Sequence, residues 1–150
     1  MTHDIEIKQI TVNHKDYTKV NSLINDVLRT PFGMKKYERW PSDENLVFVV
    51  AYQGSDVVGC FVLSTEDKTL VGEQMAVASS MQGKGVGKKL HNYAIKYAMG
   101  NEFEEIKFDS RMTSLPFHEK CGYKRSGEEF IKNMAGVELP FIKVYKKIKN

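Results

Sequence analysis

The chain has 150 residues, 41% of them hydrophobic, and its 22 basic and 19 acidic residues leave a net charge of +3. That length suits one domain, residues 1–150, with apolar material for a single core, and the charges are too evenly matched to argue for nucleic acid. Cys60 and Cys121 are the only cysteines and lack Cys-x-x-Cys spacing, which excludes a disulfide framework and points to free thiols in a reducing compartment. No apolar run reaches the length of a membrane span, and Met1-Thr2-His3-Asp4 has neither a basic start nor an apolar core. The expectation is a cytoplasmic protein that binds no membrane.

Ile5, Ile7, Ile10 and Val12 suggest a first strand. Asn13 or Asp16 is placed to cap the next helix, where Val20, Leu23, Ile24, Val27 and Leu28 recur at helical spacing, and Pro31 and Gly33 end it. Residues 34–44 read as irregular, with a helical turn around Lys35–Arg39. Leu46–Tyr52 is a near-continuous apolar strand, Gln53-Gly54-Ser55-Asp56 a hairpin turn, and Val57–Leu63 the returning strand. Leu70–Val77 is a fourth strand. Val86, Leu90, Tyr93, Ala94, Tyr97 and Ala98 form one helical stripe, stopped at Gly100-Asn101. Ile106 and Phe108 mark a fifth strand, Thr113–Cys121 a short helix closed by Gly122, and two strands near Tyr123–Ile131 and Glu138–Ile148 finish the chain. Strands flanking single helices in this order imply an α/β (α+β) fold. It has one mixed central sheet of about six to seven strands and helices on both faces.

The segment richest in chemistry lies between the fourth strand and the long helix: Gln82-Gly83-Lys84-Gly85-Val86-Gly87. Alternate glycines let successive N–H groups curl inward as a nest for a polyanion, and the helix that follows adds free N–H groups and the positive end of its dipole. A mononucleotide P-loop needs four residues between its glycines and a hydroxyl after the lysine. Here three residues separate Gly83 from Gly87, and Lys88 is followed by Lys89. The dinucleotide fingerprint needs a third glycine where Lys88 stands. The pattern Arg/Gln-x-x-Gly-x-Gly/Ala is met in full by Gln82, Gly85 and Gly87.

With that loop, and with Pro116-Phe117-His118-Glu119-Lys120-Cys121-Gly122-Tyr123 about thirty residues later, the chain resembles the GNAT acyltransferases from about Val57 to Lys147. The resemblance implies the GNAT fold, with its sheet splayed between strands 4 and 5, and acetyl-CoA as co-substrate with no metal. The pyrophosphate would rest on Gln82, Gly83, Lys84, Gly85, Val86, Gly87 and Lys88. The pantetheine arm would dock along Met75-Ala76-Val77, helped by a bulge, with the thioester oxygen at the Val77 N–H. Ser114 and Phe117 are the corresponding positions near the cofactor arm.

Glu73 is the expected general base, although it reads equally as a solvated strand residue, and side-chain alternation leaves Glu73 and Gln74 undecided. His118 stands where the family usually carries tyrosine, so the acid role toward the departing thiolate is assigned to it, against the plainer reading of a flanking histidine. Arg111 replaces a family asparagine and leaves that role open. Arg29 and Trp40 are the candidate acceptor-binding residues, each with a bland alternative: a helix-end cation and a core aromatic. The implied activity is acetyl transfer to a primary amine of a small molecule or peptide by direct attack in a ternary complex, by a monomer or homodimer. The competing reading is a CoA-binding sensor or interaction module without turnover.

Overall fold

The computed structural model describes residues 4–36, 45–134 and 136–148. Seven strands form one sheet in the order β1-β2-β3-β4-β5-β7-β6: β1 (Ile5–Ile10), β2 (Val47–Gln53), β3 (Asp56–Glu66), β4 (Thr69–Val77), β5 (Glu105–Arg111), β6 (Lys124–Met134) and β7 (Val137–Lys147). The helices are α1 (Tyr17–Ile24), α2 (Val86–Gly100) and α3 (Leu115–Lys120). Every neighbouring pair is antiparallel except β4 with β5, which is parallel and reached through α2.

Alternation along the central strands sorts side chains into two cores. Phe48, Val50 and Tyr52 of β2 pack with Val20, Leu23 and Ile24 of α1. Val49 and Ala51 face the other way, onto Val86, Leu90, Ala94 and Ala98 of α2. Helices therefore cover both faces, as the order of elements predicts. Each fully buried Phe, Leu or Val contributes roughly 1.5–3 kcal/mol.

Several boundaries differ from the sequence reading for local reasons. The first strand stops at Ile10 rather than Val12, because the His14 N–H bonds the Thr11 carbonyl and turns the chain. Asp16 does occupy the N-cap of α1, yet its carboxylate makes no capping bond. It accepts instead from the Tyr52 hydroxyl at 2.8 Å, tying α1 to β2. The helical spacing through Leu28 is real, but the backbone widens to π-helical turns over Asn25–Arg29 and tightens to 3-10 at Thr30–Phe32. Gly33 then closes it in the left-handed conformation. The turn expected around Lys35–Arg39 falls mostly outside the described residues.

The feature that makes a site is where β4 and β5 stop pairing. Their ladder runs only from Thr69↔Glu105 to Gly72↔Phe108. Beyond it, Glu73–Val77 follows β3 while Asp109–Arg111 follows β7. The sheet therefore opens into a V between strands 4 and 5.

Candidate active site

The glycine loop lies at the open end of β4. A 3-10 turn, Ser79–Met81, leads into it with Met81 buried as its anchor. The Gln82 side chain donates to the Val77 carbonyl at 3.2 Å, fastening the loop to the strand. Gly83 and Gly85 have φ of +79° and +85°, and nothing lies within 4 Å of where their Cβ atoms would be. The left-handed backbone explains both glycines, and the space beside them is open. The first backbone bond of α2 runs from Lys89 N–H to Gly85 O at 3.1 Å. The N–H groups of Val86, Gly87 and Lys88 precede it, no side chain caps them, and no acidic residue sits in that first turn. Such a start can hold an anion, because its donors are free of intrahelical partners. Lys84 and Lys88 are exposed beside it. Gly87 serves differently: its missing Cβ would lie 2.7 Å from Phe117 Cζ, so the glycine admits the Phe117 ring against the start of α2.

The edge of β4 carries the expected bulge. Val62 faces Gln74 and Leu63 faces Gly72, so Glu73 is the extra residue. The side-chain phase slips there: Leu70 packs in the α2 core, whereas Ala76, at the same parity, packs in the α1 core. Glu73 itself is exposed. The Ala78 N–H reaches the Val58 carbonyl of β3 at 2.9 Å. Strand alternation then turns the backbone groups of Val77 and Met75 toward the open edge.

The V opens into a cleft of about 520 Å³. Glu73, Gln74 and Met75 form one wall, and Ser110, Arg111, Ser114 and His118 another, with β7 residues behind. His118, on α3, is 6% exposed, and its Nδ1 lies 2.9 Å from Nε2 of His91 on α2. Burial pulls the His118 pKa down to about 4. Burial, and then His118 and Lys146, pull that of His91 down to about 3. Both rings are neutral at pH 7, so His118 meets the cleft as an imidazole and not as an imidazolium. Asp109 holds Lys132 at 2.9 Å and Lys143 at 3.1 Å. Burial opposes its ionisation, but the two lysines outweigh that and lower its pKa. Arg111 donates to the Leu28 carbonyl at 2.8 Å and lies 4.4 Å over the Phe32 ring. Burial, then the neighbouring charge of Arg29, lower its pKa.

A model of the acetyltransferase (GNAT) family matches residues 17–123. The chain belongs to the GNAT family. It is 30% identical over 122 residues to glucosamine 6-phosphate N-acetyltransferase of Candida albicans, covering 75% of this chain and 81% of that one. An IAA acetyltransferase from Bacillus cereus superposes with a TM-score of 0.72 at 26% identity, over 96% of this chain and 99% of that one. An aminoglycoside 6'-N-acetyltransferase in complex with coenzyme A gives a TM-score of 0.75 at 17% identity, over 97% and 99%; at that identity the likeness is one of fold.

Within this GNAT chain the structure brings Glu73, Met75, Ser114 and His118 to one cleft. The Gln82–Lys88 loop, Val77 and Phe117 lie outside that cleft's wall, toward the end of β4 and the start of α2. Arg29 is not on the wall either. It is 5% exposed, and its Nε donates to the Lys35 carbonyl at 2.6 Å. Trp40 lies outside the described residues. Sequence reasoning missed His91, which sits inside the apolar stripe of α2 one residue after Leu90. A polar residue on the buried side of that stripe was the available signal. Among the described residues no cluster of His, Cys, Asp or Glu is arranged to hold a metal ion, and no helix is long and apolar enough to cross a membrane.

Proposed function

We propose that the protein moves an acetyl group from acetyl-CoA to the primary amine of a small molecule or peptide bearing an anionic group, by direct attack in a ternary complex. The observation that carries this reading is the continuity of three features. An uncapped helix start follows a left-handed glycine loop, that loop is fastened to β4, and β4 has a free edge where it parts from β5. The donors of the loop suit a pyrophosphate. The backbone groups of Met75 suit an extended amide chain, and the Val77 N–H suits the charge developing on a thioester oxygen, a type of contact worth roughly 2.7–4 kcal/mol.

An amine with a pKa near 10.4 is neutral in only roughly one molecule in 2,000 at pH 7. Glu73, exposed on the cleft wall, takes the proton directly or through water. His118 faces the leaving sulfur as a neutral hydrogen-bond donor. Neither thiol suits a covalent acyl carrier: burial pushes Cys60 up to about 12 and also raises Cys121.

Arg111, beside Arg29 and on the cleft wall, favours an acceptor that brings negative charge. The Candida relative is named for such an acceptor, an amino sugar phosphate. The test is thiol release from acetyl-CoA across an amine panel in which each phosphorylated or carboxylated amine is paired with its neutral counterpart. The reading expects turnover favouring the anionic member. Stabilisation by CoA with no thiol release from any amine would replace it with the sensor module, and equal turnover within pairs would remove the role of Arg111.

A further inference from the structure

Behind His118 lies a second histidine, held among aromatic rings, that the proposed reaction does not use. His91 is 1% exposed. Rings of Phe61, Phe108, Phe117 and Tyr123 surround it at centroid distances of 5.2, 6.0, 5.6 and 4.8 Å. Among the described residues its one polar partner is His118. Two polar atoms in this cluster are buried without a partner among the described residues, His91 Nδ1 and Tyr123 Oη.

Two neutral imidazoles joined by one hydrogen bond carry two N–H hydrogens, and their placement has two solutions. If His118 Nδ1 donates, the hydrogen of His91 sits on Nδ1. The cluster then contains two buried donor hydrogens with no acceptor, that N–H and the Tyr123 O–H. If His91 Nε2 donates, His91 Nδ1 is a bare lone pair. Only the Tyr123 hydrogen is then left without an acceptor. The hydrogen of His118 then sits on Nε2, the nitrogen not engaged by His91. Orphaned buried N–H groups are the rarer defect, so the second solution wins.

We propose that His91 is a positioning residue that locks His118 in the Nε2–H tautomer, so that His118 offers the cleft an N–H donor and not a lone pair. The tautomer stands on the pairing of two neutral rings and the buried atoms around them; its catalytic meaning rests on the acetyl-transfer reading. In that reading His118 cannot compete with Glu73 for the amine proton, and its N–H is set to stabilise negative charge on the leaving sulfur.

The test is the tautomer of His118 read by 15N NMR on histidine-labelled protein, in the wild type, His91→Gln and His91→Phe. The wild type is expected to show the hydrogen on Nε2. His91→Phe should give a mixture of tautomers and lower kcat roughly 2- to 12-fold, the loss of one hydrogen bond, with KM for acetyl-CoA unchanged. His91→Gln keeps an N–H donor on a side chain of similar reach and should restore both readings. A wild-type His118 carrying its hydrogen on Nδ1 overturns the proposal even if His91→Phe does not fold. So does a His91→Phe protein whose His118 tautomer is unchanged. If the NMR result holds but no amine is acetylated, the transfer reading falls and the tautomer assignment stands.

Discussion

Gly87→Ala separates packing at the proposed cofactor loop from folding. The added methyl lies in the first turn of α2, where alanine gains up to about 1 kcal/mol over glycine in helix propensity. Against that gain, the new Cβ would sit 2.7 Å from Phe117 Cζ and 3.1 Å from Cε2, well inside van der Waals contact. Phe117 is 37% exposed, so in the free protein its ring can swing toward solvent, and the two effects nearly cancel. A bound cofactor that needs the ring in place makes the protein hold it off its rotamer, at about 0.5–1.5 kcal/mol. That corresponds to CoA binding weaker by roughly 2- to 13-fold. Calorimetric titration with CoA and a thermal melt together read the two effects. The melting temperature should move by no more than a few degrees while Kd rises, and Gly87→Ala with Phe117→Ala should bind no more weakly than Phe117→Ala alone. Unchanged affinity in Gly87→Ala, or full additivity in the pair, would refute the idea that the ring and the loop are fitted to each other for the cofactor.

Gly85→Glu places a carboxylate in the nest, and its left-handed φ adds roughly 1–2 kcal/mol of strain; the protein should stay folded by circular dichroism and lose the thermal shift produced by acetyl-CoA. Glu73→Gln changes an exposed bulge residue, so stability should stay within about 0.5 kcal/mol, while kcat at pH 7 drops by about a hundredfold and the deficit narrows as rising pH deprotonates the amine unaided; an unchanged pH–rate profile would acquit Glu73. Arg111→Ala should raise KM for anionic acceptors and leave neutral amines alone, read in the paired panel. His91 and His118 have pKa values of about 3 and about 4 in the folded protein against about 6.5 in the unfolded chain. As pH falls below about 6.5 the unfolded state therefore takes up protons first, and each histidine costs up to ~1.4 kcal/mol per pH unit until its folded value is reached. Urea midpoints should drop between pH 6.5 and 4, less steeply in His118→Phe; equal slopes in the two proteins would mean that His118 is not buried neutral.

Elements with strong periodicity were legible from the residues. The stripe through Leu90 and Ala94 and the alternation at Ile106 and Phe108 each settle an element by themselves, and the glycines at 83, 85 and 87 announce a backbone that curls. What was not legible depends on pairing between distant segments. The bulge that isolates Glu73 is written in the register of β3 against β4, which explains why alternation within β4 could not choose between Glu73 and Gln74. Asp16 looked like a cap because its local context is that of a cap; Tyr52, 36 positions away, claims its carboxylate instead. His91 and His118 meet across 27 positions on two different helices, and no spacing rule links them.

The extra residue at position 73 has a consequence for how this site tolerates change. Leu70 before it and Met75 and Val77 after it face the α2 core while Ala76 faces the α1 core, but its own side chain packs in neither. Exchanging one amino acid for another there costs the scaffold little, whereas deleting it would throw Met75 and Ala76 onto the wrong sides and ruin both interiors at once. In the acetyl-transfer reading, the chain thus keeps one position where reactivity can drift by point substitution while its length stays locked.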